Sequence, residues 1–143
     1  METLGSLIDK LIVVKLKQDH TPAEQIIRIG NLGVQEMELL YEISDYFSDA
    51  VHGIIPIGKI SVKPCKVHTG TPMPDVDFTN MGILIAILAQ ANCEIWHCQE
   101  KLYNFKGLSP EEKELVVEMI TKENLKRSRC IEGIDMKLLE LVK

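Results

Sequence analysis

The stretch NMGILIAILAQANCEIWHCQEKLYNF, residues 80–105, decides the fold. Its apolar residues Met81, Leu84, Leu88, Ala91, Ile95, Cys98, Leu102 and Phe105 recur at steps of three and four, the period of an α-helix with one buried face. Gly107 stands just past the end, where a left-handed residue can close a helix. Ser109-Pro110-Glu111-Glu112 then combines a capping box with proline at the first helical position, so the next helix opens there and runs to the C-terminus. Its stripe is Val117, Ile120, Asn124, Arg127, Ile131, Ile134, Leu138 and Leu141.

Upstream, Leu4, Leu7, Ile8, Leu11, Ile12 and Val14 predict a first helix over Glu2 to Asp19. Thr21 and Pro22 read as the cap and first residue of a second helix reaching His52. Its expected stripe is Ile26, Ile29, Gly33, Glu36, Leu40, Ile43, Phe47 and Ala50. Gly30 and Gly33 each cost a helix about 1 kcal/mol against alanine, which predicts a bend or break near Asn31. Residues 53–79 carry Pro56, Pro64, Pro72 and Pro74, with short strands expected at Ile57–Val62 and Cys65–His68. The expectation is all-α: a single domain over residues 1–143, a four-helix bundle with a long proline-rich crossover between helices 2 and 3.

Composition narrows the function classes. Of the 143 residues 45% are hydrophobic and 26% charged, too apolar for a disordered chain. A net charge of -5 argues against a nucleic-acid or anionic-membrane surface, and Lys126-Arg127-Ser128-Arg129 is the one short basic run. The longest apolar run, Met81 to Ala89, falls short of a membrane span, and the start lacks a basic leader, so the reading is cytoplasmic. Cys65, Cys93, Cys98 and Cys130 form no C-x-x-C pair and read as reduced core residues.

Polar residues that interrupt apolar stripes mark where chemistry could sit. Helix 2 places Glu36 in its stripe; helix 4 places Asn124, Arg127 and Asp135; helix 3 carries Asn92, Trp96 and Gln99 beside its apolar face. If these converge, they form either a hydrogen-bonded layer that fixes helix register or a ligand pocket. In the pocket, Arg127 would hold an anion, Trp96 would stack, and Glu36 or Asp135 would hold a metal or act as base. Glu94-x-x-His97 has di-iron spacing but only one copy is present, and it shares a face with Gln90 and Lys101. Clustered acids Glu36, Glu38, Glu42 and Asp45 resemble the helical nucleotide pyrophosphohydrolases in composition, with Glu42-x-x-Asp45 matching half of their motif pair. Lys63 to Gly70 gathers two lysines, a histidine and a glycine that could close over an anion.

Asn92-Cys93-Glu94-Ile95-Trp96-His97, followed by Glu100, resembles the core of an uncharacterised all-helical bacterial family. That family pairs an Asn-x-x-x-Trp-His helix with a later helix bearing Asn-x-x-Arg and a terminal Asp, matched here by Asn124, Arg127 and Asp135. The resemblance covers helices 3 and 4 and departs at Gln99-Glu100-Lys101, where the family has Glu-Asp followed by Arg. It implies a helical fold and assigns no activity or cofactor.

The sequence therefore predicts a helical binding or assembly module. The alternative is a small enzyme or ligand-binding protein taking a nucleotide or other anionic metabolite at Asn92, Trp96, Gln99, Asn124, Arg127, Asp135 and Glu36, with no metal site assigned. Val13, Val14, Leu39, Val116 and Leu139 lie off the main stripes, which predicts a homo-oligomer.

Overall fold

Four helices carry the chain: α1 (Leu4–Asp19), α2 (Ile26–Val51), α3 (Met81–Leu102) and α4 (Pro110–Val142). The computed structural model describes residues 2–65 and 75–143. α1 begins where the Thr3 side chain accepts from the Ser6 N–H, and α3 where Asn80 accepts from the Ile83 N–H. The capping box at Ser109 forms as read, with Glu112 returning the hydrogen bond. Two residues past the end of α2 the chain turns at Gly53, whose φ of 75° only glycine adopts freely. That turn lets the Ile54 and Ile55 N–H groups bond back to Asp49.

α1 is the pivot. It packs on α2, α3 and α4, whereas α2 meets α4 at few residues. Gly5 and Asp9 of α1 meet Asp135 and Arg127 of α4, so these helices run antiparallel. α3 and α4, joined by the turn at Phe105–Gly107, form the most extensive pair. Leu4, Leu7, Tyr46, Ala50, Leu84, Leu88, Cys130, Ile131, Ile134 and Leu138 fill one core, with Ile60 and Val76 of the crossover joining it. By length and composition α3 is the one helix among the described residues able to cross a bilayer. Counting uninterrupted apolar residues misses this because Gln90 ends the run, with Asn92 and Glu94 close behind.

Several local expectations are corrected. α2 starts at Ile26 rather than Thr21; the Thr21 hydroxyl instead donates to the Lys17 carbonyl at the end of α1. α2 runs unbroken through Gly30, Asn31 and Gly33. Ile57–Lys59 is a 3-10 turn and no strand follows at 60–62. The reason lies in α4: the Lys63 N–H donates to Asp135 at 2.9 Å and the Cys65 N–H to Glu132 at 2.7 Å, so side-chain acceptors replace a strand partner. The expected strand at Cys65–His68 lies outside the described residues beyond Cys65, as does most of the Lys63–Gly70 anion loop.

The largest correction concerns which face of α2 is buried. Leu32, Glu36, Leu39, Ile43, Tyr46 and Ala50 turn inward. Ile26, Gly30, Gly33, Met37, Leu40, Ser44, Phe47 and Val51 form a second row at steps of four and three, and this row turns outward. Its least exposed large member, Phe47, is still 40% exposed. Ile27, Val34 and Tyr41 flank it, also exposed. The predicted stripe mixed the two rows. The off-stripe residues read as a sign of assembly are used within the protomer: Val14 and Val116 are buried, and Leu39 and Leu139 pack against the core. In α4, Val117 and Leu141 are exposed, while Val116 and Leu138 are buried.

Candidate functional site

Asp9 is the centre of the polar layer. Arg127 grips it with two hydrogen bonds, Nε to Oδ1 at 2.8 Å and Nη2 to Oδ2 at 2.5 Å. Asn92 donates its amide to Oδ1 at 2.9 Å and to the Leu88 carbonyl at 3.1 Å. The fork of guanidinium on carboxylate is the strong, geometrically specific form of ion pair. Asp9 pushes the Arg127 pKa up further, so the guanidinium stays charged. Both Asp9 carboxylate oxygens are occupied, and the layer joins α1, α3 and α4, with Arg127 Nη1 taking no part in it.

Asp135 sits two turns along α4 in a second cluster. It accepts from the Gly5 N–H at 2.7 Å, from the Lys63 N–H at 2.9 Å and from the Thr3 side chain. Burial dominates and pushes its pKa up in spite of these donors. A raised carboxyl pKa means that the folded chain holds the proton more tightly than the unfolded one. Asp135's contribution is therefore fully present below the ordinary aspartate value and is lost as pH rises through the raised value. Asp135→Asn is expected to flatten the fall of stability with pH in the window that opens at the ordinary aspartate value and closes at the raised one, on top of a constant loss from the missing acceptor. Urea unfolding at the two ends of that window measures it; an unchanged slope would show that this carboxyl does not titrate there.

The other predicted residues lie elsewhere. Trp96 stacks on the His20 ring with centroids 4.5 Å apart, and its Nε1 donates to Glu100 at 2.9 Å. Gln99 is exposed and joins neither cluster. Glu36 accepts from Gln18 at 2.6 Å and Lys15 at 3.2 Å, which hold its pKa low and tie α2 to α1. Glu94 accepts from Gln90, and the exposed His97 lies 3.9 Å from Glu100. So Asn92 and Arg127 come together, Asn124 lies at a cleft bordering Arg127, and the seven residues do not gather in a single pocket. Cys98 and Cys130 are buried as expected, and desolvation pushes the Cys130 thiol to about 11. Cys65 and Cys93 are only half-buried.

Asp9 was absent from the sequence reading. A signal was present: Gly5, Asp9, Ile12 and Leu16 form one row of α1, and an acid in such a row needs a buried partner. Comparison with family models, curated proteins and solved structures finds no match to this chain. The resemblance drawn from helices 3 and 4 thus stands on its own residues.

Proposed function

We propose that this protein is an all-helical assembly module that pairs with a second copy of itself through the outward row of α2. The observation that carries this is the row itself. Apolar residues at a mean step of three and a half are the pattern by which one helix packs against another. Here that pattern lies on the side of α2 turned away from its own core.

The glycines point the same way. A Cβ at Gly30 or Gly33 would meet nothing within 4 Å. Each glycine costs its helix about 1 kcal/mol and gains no contact inside the protomer. Small residues on an exposed apolar seam let another backbone approach. An antiparallel copy fits best. It lays the glycine-bearing half of one α2 against the half of the other that carries Phe47 and Val51, so small faces large. It also brings Arg28, the one basic residue of α2, toward the partner's Glu42, Asp45 and Asp49. A parallel copy would stack glycine on glycine and acid on acid.

Sedimentation or light scattering tests this. The wild type is expected to be a dimer, and Leu40→Glu, on an exposed position, a folded monomer. Gly33→Ala is expected to raise protomer stability by about 1 kcal/mol while weakening the dimer. A wild type that stays monomeric well above micromolar concentration would overturn the reading.

A further inference from the structure

A cleft of about 480 Å³ lies between α4 and the start of the crossover, away from α2. Lys63, Pro64, Asn124, Arg127, Ser128 and Ile131 border it, and among the described residues no Asp or Glu does. Its size falls within the range of small-molecule sites. We infer that this cleft binds a small phosphorylated molecule, with the phosphate held between Lys63 and Arg127.

Arg127 is the reason. Arg127 borders this cleft and also the neighbouring cavity, but Asp9 lines only the neighbour. Asp9 thus fixes the fork from one side without entering the cleft. A guanidinium held rigid by a carboxylate has little rotamer freedom left to lose when an anion arrives. Lys63 comes from the other wall, and its backbone N–H is pinned to Asp135, which sets where its side chain starts. Asn124 and Ser128 lie one turn apart on the same face of α4 and supply neutral donors to phosphate or sugar oxygens. Asn124 is exposed and has no hydrogen bond of its own among the described residues. Leu125, Ile131 and Pro64 leave an apolar wall for the organic part of the ligand. Lys63 and Arg127 both border the cleft, while the carboxylates they act on, Glu2, Asp135 and Asp9, lie outside its lining, which suits a dianionic phosphate better than a single carboxylate.

This inference does not rest on the pairing of α2, because no α2 residue borders the cleft. Calorimetric titration at low salt with inorganic phosphate, AMP and ribose 5-phosphate is the test, with acetate as control. The phosphate compounds are expected to bind and acetate not to, and added salt should weaken binding. Lys63→Ala and Asn124→Ala alter exposed side chains and leave the Asp9 layer intact. Each is expected to weaken binding by about ten-fold, the loss of one charge-assisted or good hydrogen bond, with Lys63→Arg restoring most of it. No binding of any phosphate compound, or equal binding by Lys63→Glu, would overturn the assignment. Repeating the titration on the Leu40→Glu monomer separates it from the assembly reading: unchanged affinity is expected.

Discussion

Asp9→Ala is expected to destabilise the protein by about 3 kcal/mol and to lower Tm by about 6–12 °C. The aspartate side chain is 6% exposed, and its loss strands two donors from two helices. Arg127 would keep its charge with no counter-ion, and Asn92 would keep an amide facing an apolar gap. The cost stays near the low end for buried pairs because Arg127 is 33% exposed and water can reach it. Replacing both partners at once, Asp9→Leu with Arg127→Met, removes the desolvation problem with the interaction and is expected to cost much less than the single change. Urea unfolding of the three variants measures the coupling. If the double variant were as unstable as the sum of the singles, the layer would not be the linked unit described.

Gly5→Ala carries the second large effect, also about 3 kcal/mol. In most helices this substitution is favourable by about 1 kcal/mol. At Gly5 the new Cβ would run into the Ile131 carbonyl oxygen and stand 3.0 Å from Asp135 Oδ1. The first obstacle is backbone, so α1 and α4 must separate, and the Gly5 N–H bond to Asp135 lengthens with them. Gly33→Ala, with nothing near, has the opposite expected sign in the protomer. Thermal unfolding of the two variants side by side decides it. A neutral Gly5→Ala would mean that the two helices cross less closely than this structure places them.

What could be read from the sequence was local. The Ser109 box and the stripe of α3 depend on neighbours within a turn or two. The box stands, and the stripe is buried from Leu84 to Cys98, while Leu102 is exposed and Phe105 falls in the exposed turn beyond the helix. The buried face of α2 was not legible because both of its rows keep helical spacing, and only the position of α1 decides which turns inward. The strand expected at Ile57–Val62 is replaced at its start by a 3-10 turn, with the Ile60 N–H bonded back to Ile57, and the Lys63 and Cys65 donors beyond it are taken by α4 carboxylates. Asp9 was missed because its partner Arg127 lies 118 positions further along the chain. Arg127 was found since it breaks an apolar stripe, and Asn92 and Asp135 since they lie beside one, yet that signal could not tell a structural layer from an open pocket.

The Asp135 carboxylate also has a topological consequence. It closes one ring of 130 positions to Gly5 and another of 72 positions to Lys63, both through a single side chain. A disulfide spanning such rings would stabilise the fold mainly by restricting the denatured chain. Hydrogen bonds that form only on folding restrict nothing beforehand. The denatured chain keeps its full freedom, the closure entropy falls on the folding reaction, and everything this carboxylate contributes resides in the native state.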